Sequence, residues 1–257
     1  MAHDVLLEAV SVGKHFGGVI AVEDVSTQVH QGTIHAVIGP NGAGKTTFFN
    51  SLSGFYFPDS GSVTFDGQDI TRMPNWRRIA AGMGRTFQTP SIFPELTVFE
   101  NLQLGVRSQA KQAFRLRAVA GSAARTSEER IAELLGFVNL ERFSGRLVSE
   151  LSHGAQRLCE IAMSLSTNPK LVLLDEPMAG LAEAETERIM EVIRDLHSRL
   201  GLTVLFVEHN MRVVLTLADR ITVMDRGKKL AEGTPDEIAA NEAVREAYLG
   251  KEVIEHV

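Results

Sequence analysis

Short hydrophobic runs separated by glycine or polar residues begin the chain. Residues 5–10, 19–29 and 33–38 are rich in valine and isoleucine, which predicts three strands. The third run leads directly into a glycine-rich turn, and a helix is predicted after it over residues 45–53. A further strand is predicted over 62–65, where Asp and Gly follow as a turn pair.

The middle of the chain has a different, mainly helical pattern from residue 76 to about 167. Within it, residues 105–127 are polar, basic and rich in alanine, which predicts an exposed helical insertion. Apolar residues recur at i, i+3, i+4 and i+7 over 155–165, and this spacing predicts an amphipathic helix. The block therefore predicts a helical lobe at roughly 76–160.

Apolar strands and helices alternate in the last third of the chain. The predicted elements are strands over 171–174, 203–207, 220–224 and 228–231, a long charged helix over 183–200, and two short C-terminal helices. The alternation of strand and helix from residue 33 onward predicts an α/β fold whose sheet is mainly parallel, with helices on its faces.

Composition narrows the class of protein. Of 257 residues, 44% are hydrophobic and 23% charged, as in a globular protein with a real core. The net charge of −6 argues against a general nucleic-acid binder. The single cysteine, Cys159, excludes a disulfide within the chain and a cysteine-rich zinc site, and its helical context predicts a core residue. No run of 18 apolar residues occurs, so any membrane role is expected to be peripheral and through a partner.

Residues 39–47 fit the phosphate-binding pattern G-x-x-x-x-G-K-[ST], with a predicted strand before them and a helix after them. The glycines let successive N–H groups point at phosphate oxygens, and the helix adds the positive end of its dipole. Lys45 supplies a charge for the β- and γ-phosphates, and the Thr46 hydroxyl can ligate Mg²⁺. The ligand is therefore predicted to be a nucleoside triphosphate. The predicted binding residues are Asn41, Gly42, Ala43, Gly44, Lys45, Thr46 and Thr47.

Two carboxylates end the apolar strand at 171–174, and a histidine follows the strand at 203–207. Asp175 is predicted to hold the Mg²⁺ shell. Glu176, the next residue, points another way and is the candidate general base that polarises the attacking water. His209 stands at a strand end where contact with a γ-phosphate is feasible.

The segment 151–157, Leu-Ser-His-Gly-Ala-Gln-Arg, lies between these two nucleotide motifs. It resembles the Leu-Ser-Gly-Gly-Gln signature of the ABC transporter ATPases, and the order of motifs in that family is complete here. We call residues 151–157 the signature segment. The resemblance implies that Phe16 and Val22 lie near adenine and that Gln88 is the Q-loop glutamine and a metal ligand. It also implies that Ser152 and Gly154 of the signature contact the nucleotide. His209 would be the switch histidine.

The family resemblance covers essentially the whole chain and implies one ABC ATPase domain over residues 1–257. Its expected fold is the P-loop NTPase ABC-ATPase fold: a mainly parallel core sheet, an antiparallel β part at the N-terminus and a helical subdomain at about 89–165. The family mechanism implies two chains that sandwich two Mg-ATP molecules, each chain completing the other's site. Closure of this dimer would then drive transport through membrane subunits.

Finer features resemble the ATP-binding subunits of branched-chain amino acid importers. They are the stretches 84–88, 93–101, 231–235 and 247–250 and the insertion around 106–125, which is similar to the LivG-type subunit rather than to its LivF-type partner. The implied partners are a second, LivF-type ATPase subunit in a heterodimer, membrane permease subunits and, indirectly, a periplasmic or extracellular solute-binding protein, with no nucleic acid. The implied location is the cytoplasmic face of the inner membrane. A urea or short-amide importer and an exporter-type ABC ATPase subunit are the alternatives.

The chain departs from the family pattern at three positions. His153 and Ala155 replace the usual residues of the signature, and Ala182 stands where the family has Asp or Asn. Ser152 and Gly154 remain, so phosphate contact is expected to survive. The loss at position 182 predicts weaker communication across the dimer.

Overall fold

The computed structural model describes residues 4–86, 92–116 and 126–249, which form two sheets and the helices packed on them. The strands are Val5–Phe16 (β1), Val19–His30 (β2), Ile34–Ile38 (β3), Ser60–Phe65 (β4), Gln68–Asp69 (β5), Met83–Arg85 (β6), Leu171–Asp175 (β7), Thr203–Val207 (β8), Arg220–Asp225 (β9) and Lys228–Gly233 (β10). The helices are Lys45–Leu52 (α1), Asn75–Ala80 (α2), Val98–Leu116 (α3), Ser127–Val138 (α4), His153–Leu165 (α5), Glu183–Leu200 (α6), Met211–Leu217 (α7), Pro235–Ala240 (α8) and Glu242–Val244 (α9). Single helical turns complete the chain at Glu141–Phe143, Val148–Glu150 and Arg245–Leu249.

The larger sheet has six strands in the order β10-β9-β3-β8-β7-β6 and is parallel except for β10, which pairs antiparallel to β9. The smaller sheet is antiparallel, in the order β2-β1-β4-β5. This confirms an α/β fold with a mainly parallel core sheet and an antiparallel N-terminal part. Because β3, β7 and β8 are parallel neighbours, the segments that follow them emerge at one edge of the sheet.

The central strands β3, β7 and β8 of the six-stranded sheet are buried on both faces. All five residues of β3 are buried, and successive residues contribute to different cores: Ala36 to one and Val37 to the other. One core contains the side chains of α3 to α6, and the other contains Phe48 and Phe49 of α1 together with the antiparallel sheet. The helix that follows the phosphate loop is therefore fixed between the two sheets. Cys159 is fully buried in the first core, as predicted.

Helices α3, α4 and α5 pack against one another beside the core sheet. Each of the latter two begins at a side-chain cap: Thr126 forms a capping box with Glu129, and Ser152 accepts a hydrogen bond from the N–H of Ala155. The helical prediction for the insertion is confirmed as far as Leu116, and its continuation at 117–125 lies outside the described residues.

The prediction of a helical block from residue 76 was wrong at one important point. Residues 83–85 form β6, which pairs in parallel with β7 and carries Arg85 to the edge of the sheet where Asp175 ends its strand. Three residues that include a glycine are too few to produce an apolar run, so only the pairing with β7 reveals this strand. Helix α7 was likewise not predicted. Within the described part of the chain, no helix combines the length and hydropathy needed to cross a bilayer.

Arg78 of α2 is the largest fully buried side chain among the described residues, and it links the end of α1 to the segment after β5. Its guanidinium donates five hydrogen bonds to main-chain carbonyls, at Ser51 and Leu52 in the last turn of α1 and at Ile70, Thr71 and Met73 after β5. Burial lowers its pKa to about 10, which leaves the group charged at neutral pH. Arg78 therefore satisfies carbonyls that the end of a helix cannot pair internally.

Replacing Arg78 with Met is expected to lower the free energy of unfolding by about 3 kcal/mol, because the buried carbonyls lose their charged donor while the side chain keeps a similar length. Urea unfolding followed by circular dichroism measures the loss. The neighbouring Arg77 is exposed and lies over the ring of Trp76, so Arg77→Met is the matched control. Equal stability of the two variants would contradict this role for Arg78.

Candidate functional site

The phosphate loop lies between two segments of backbone, strand β2 and the turn between β9 and β10. Gly44 caps α1 with a φ of 90°, a left-handed conformation that favours glycine. A Cβ on Gly44 would overlap the carbonyl oxygen of Ala21 in β2. The turn between β9 and β10 closes the other side, since the N–H of Gly227 donates to Ala43 and its carbonyl accepts from the N–H of Glu23. The loop is thus held by both sheets.

Lys45 places its ammonium inside this loop. Its Nζ donates hydrogen bonds to the carbonyls of Gly39 at 2.7 Å and Pro40 at 3.0 Å, and the side chain is buried. Burial lowers the pKa of Lys45, and the negative charge of Glu176 opposes that shift. The group is a concentrated positive charge in a place with little water, which suits it to bind an anion.

A cleft of about 320 Å³ opens over the loop. It is lined by residues 41–47, by Glu176 and, from β2, by Val19, Ile20 and Ala21. Val22, expected near the nucleotide, is fully buried in the core, and the three residues before it face the cleft instead. Phe16 pairs with Val19 across the β1–β2 ladder and is 43% exposed, with its ring edge-on to Tyr56 at 5.2 Å.

Asp175 ends β7 with a buried carboxylate. Its Oδ2 lies 3.7 Å from a guanidinium nitrogen of Arg85, while Oδ1 has no hydrogen-bond partner among the described residues. Burial raises the pKa of Asp175, and Arg85 opposes this shift. A buried carboxylate oxygen without a partner is costly unless something binds it. It is the hard oxygen ligand that Mg²⁺ prefers.

Glu176 leaves the strand in a different direction. Its φ of 46° is left-handed, a conformation that costs about 1 kcal/mol or more for a residue with a Cβ. The N–H of Glu176 donates to the carbonyl of Val207 at the end of β8, which holds this conformation. The turn separates two consecutive carboxylates, so that Glu176 reaches the cleft while Asp175 stays buried.

His209 follows β8 and is mostly exposed, with 59% of its side chain accessible. It is anchored through Glu208, a buried residue whose Oε2 accepts the main-chain N–H of His209 at 3.1 Å. The other oxygen, Oε1, accepts the N–H of Met178 at 2.9 Å. Glu208 therefore ties the loop after β7 to the loop after β8.

The signature segment lies outside the phosphate cleft. Ser152 and Gly154 line a second cavity, of about 440 Å³, together with Arg142, Arg146 and Glu185. The described part of the chain thus forms one cleft with the phosphate loop and Glu176, and a separate cavity with the signature residues. Gln88, predicted as the Q-loop residue, lies outside the described residues.

Comparison with known families agrees with this set of motifs. A family model described as ABC transporter matches residues 22–179, more than half of the chain. The chain belongs to the ABC transporter family. A second model, described as branched-chain amino acid ATP-binding cassette transporter, matches residues 228–254. As an ABC ATPase, the chain binds and hydrolyses ATP.

Relatives of this ABC subunit align over nearly its full length. It is 40% identical over 250 residues to BraF of Pseudomonas aeruginosa, a high-affinity branched-chain amino acid transport ATP-binding protein, covering 96% of this chain and 98% of the relative. It is also 38% identical over 250 residues to LivG of Escherichia coli, which has the same description, and the alignment covers 96% of this chain and 98% of LivG. A crystal structure of the ADP conformation of MJ1267, an ATP-binding cassette of an ABC transporter, superposes with a TM-score of 0.84 at 33% identity, over 96% of this chain and all of that one.

Two residues of this ABC subunit contact predicted site residues but were not themselves predicted. Arg85 faces Asp175, and its guanidinium also donates to Asn50 Oδ1 at 2.6 Å and to Ser53 at the end of α1. Glu208 orients His209, as described above. The available signal for Glu208 was an acidic residue directly after an apolar strand and beside a candidate histidine. For Arg85, the available signal was a basic residue three positions before Gln88, which was already a candidate site residue.

Proposed function

We propose that this chain powers the import of branched-chain amino acids, as one of two ATP-binding subunits on the cytoplasmic face of a membrane transporter. The observation that carries the solute class is the match of residues 228–254 to the branched-chain amino acid model. The names of the relatives BraF and LivG support the same class. The proposed assembly contains membrane permease subunits, a second, LivF-type ATPase chain and, indirectly, a solute-binding protein.

In this proposal the cleft holds the triphosphate of ATP. Main-chain N–H groups of the phosphate loop and the N-terminus of α1 receive the phosphates, and Lys45 neutralises the β- and γ-groups. Phe16, exposed beside the cleft, stacks on adenine, with Val19 and Ile20 next to it. Glu176 accepts a proton from the attacking water, and His209 contacts the γ-phosphate.

The residues present suit a bound Mg²⁺. Asp175 offers a buried carboxylate oxygen that has no partner among the described residues, and the exposed Thr46 offers a hydroxyl at the start of α1. Gln88 is proposed as the third protein ligand. A bound Mg²⁺ would neutralise charge on the β- and γ-phosphate oxygens. The raised pKa of Asp175 also favours a bound cation, because a cation offsets the cost of burying the carboxylate charge.

The separation of the two cavities supports a composite site. The proposed arrangement has Ser152 and Gly154 of one chain meet the γ-phosphate bound by the other chain, so that neither chain is complete alone. Electrostatic stabilisation of the transferring phosphoryl group then arises only on closure. The altered signature of this chain, with His153 and Ala155, would complete the ATP site of the partner chain, whereas the signature of the partner would complete the site of this chain. The two composite sites would therefore differ.

Helices α3 to α5 belong to the proposed helical subdomain, residues 89–165, whose role is to dock on the membrane subunits. The turn at its start presents Phe93, which is 51% exposed. Beneath it, the fully buried Asn101 accepts the N–H of Phe93 and donates to the carbonyls of Phe93 and Thr97. An exposed aromatic ring on such a firmly held turn is suited to a protein contact.

Phe93→Asp is expected to reduce transport at least about tenfold while ATP hydrolysis by the chain persists, because a buried charge replaces an apolar contact. Solute uptake and ATPase activity are measured on the same reconstituted vesicles. Leu200→Asp, on a similarly exposed leucine at the C-terminal end of α6, is the matched control. Normal uptake by the Phe93 variant would remove this turn from the membrane contact.

The solute class is tested with the complex produced from the neighbouring genes and reconstituted in vesicles. Uptake of radiolabelled leucine is compared with uptake of urea, each with the cognate binding protein added. ATP-dependent accumulation of leucine supports the proposal. Accumulation of urea alone, or export of a substrate from the vesicles, would replace it with one of the alternatives.

A further inference from the structure

Glu185 occupies the N-terminal end of the signature helix α5. It belongs to the first turn of α6, and its Oε1 accepts the main-chain N–H of Gly154 at 3.1 Å. The nearby Ser152 side chain also stabilises this carboxylate and lowers its pKa. The contact is close: a Cβ on Gly154 would lie 2.7 Å from Oε1 of Glu185. Both signature residues that are proposed to meet a phosphate therefore meet a carboxylate of their own chain.

The local electrostatics favour an anion in this position. The thirteen-residue helix α5 directs its unpaired N–H groups and the positive end of its dipole at the site. Beside Glu185 itself, the cavity is lined by three arginines, Arg142, Arg146 and Arg188, and by one further carboxylate, Glu150. His153 contributes a favourable charge interaction with Glu185. Interactions with Ser152 and Gly154 lower the pKa of Glu185, so the carboxylate is ionised at neutral pH.

We infer that Glu185 is an internal substitute for the γ-phosphate, a positioning residue that holds Ser152 and Gly154 until a partner chain's ATP displaces it. The inference rests on the proposed role of the signature residues. Glu185 already occupies the N–H of Gly154, so a phosphate can take that place only when Glu185 moves away. Glu185 keeps both signature residues in place in the open state, and it raises the amount of ATP that closure needs.

The inference predicts a change in ATP dependence rather than in chemistry. Glu185→Gln keeps the size of the side chain and one acceptor but removes the charge, which weakens its hold on both residues. In the assembled transporter, half-maximal ATP hydrolysis is expected at an ATP concentration about fivefold lower, with an undiminished maximal rate. Glu185→Asp keeps the charge but shortens the reach, so it is expected to shift in the same direction.

Two controls separate the contact from general effects of charge. Glu191→Gln removes an exposed carboxylate from the same helix, α6, and is expected to leave the ATP dependence unchanged. Binding of a fluorescent ATP analogue to the isolated chain is expected to be the same for Glu185→Gln and the wild type, because Glu185 does not line the phosphate cleft. A changed affinity there would overturn the inference.

Ser152→Ala in the same transporter distinguishes this inference from the function on which it rests. If Ser152→Ala lowers turnover while Glu185→Gln matches the wild type or needs more ATP, Glu185 is a structural support only and the inference is wrong. If Ser152→Ala leaves turnover unchanged, the proposed role of the signature residues fails instead. Loss of turnover in Ser152→Ala with a lower ATP requirement in both Glu185 variants is the expected result.

Discussion

Glu176→Gln is expected to reduce the rate of ATP hydrolysis by about 100-fold or more, because the amide cannot accept the proton of the attacking water. The substitution keeps size and hydrogen-bonding capacity, and Glu176 is partly exposed in the cleft. Its strained backbone is fixed by the hydrogen bond from its own N–H to Val207, which the change does not touch. Single-turnover hydrolysis in the assembled transporter measures the chemical step directly.

ATP binding by Glu176→Gln is expected to stay near the wild-type affinity, since removing one negative charge beside the phosphates does not weaken the attraction. Glu183→Gln, an exposed carboxylate of α6, is the control for the loss of one acidic group. A single-turnover rate within a few-fold of the wild type would exclude Glu176 as the general base.

Lys45→Met is expected to weaken ATP binding by about 30-fold or more, because charge-assisted hydrogen bonds to the β- and γ-phosphates are lost. Methionine retains an unbranched apolar stem in a position where the lysine stem is buried, so the loop keeps its packing. The affinity of the isolated chain for a fluorescent ATP analogue is the measurement.

The control for Lys45→Met is Lys170→Met, at an exposed lysine that pairs with Asp66 on the surface. Thermal unfolding of both variants shows whether the loop has lost its shape, since Lys45 also donates to the carbonyls of Gly39 and Pro40. Unchanged affinity in a folded Lys45→Met variant would contradict the assignment of the phosphate loop.

Much of this architecture could be predicted because the sequence pattern that identifies each element lies within the residues of that element. The buried strands β7 and β8 are continuous apolar runs, and α6 carries its own periodicity, so their bounds were predicted within a residue. The phosphate loop could be predicted because its chemistry is contiguous in the chain. Both kinds of signal depend only on neighbours in sequence.

What escaped prediction depends on partners distant in sequence. Strand β6 exists because β7 pairs with it, and Glu208 matters because Met178 donates to it from another loop. The contact between Gly154 and Glu185 joins residues 31 positions apart. Val22 illustrates a related difficulty: the position of a residue in a strand does not reveal whether its side chain faces the core or a ligand. The side chain of Val22 is buried, whereas Val19, Ile20 and Ala21 border the cleft.

The clamping of the phosphate loop by both sheets links the folding of the chain to its ligand. Ala21 of one sheet and the β9–β10 turn of the other must be in place before the loop between them has its shape. A partly folded chain in which either sheet has come apart therefore lacks the binding site, and ATP selects the fully assembled state. By mass action, nucleotide at 100 times its dissociation constant stabilises that state by about 2.7 kcal/mol. ATP in the cell therefore raises the free energy of unfolding of both sheets together, so that they unfold as a single cooperative unit.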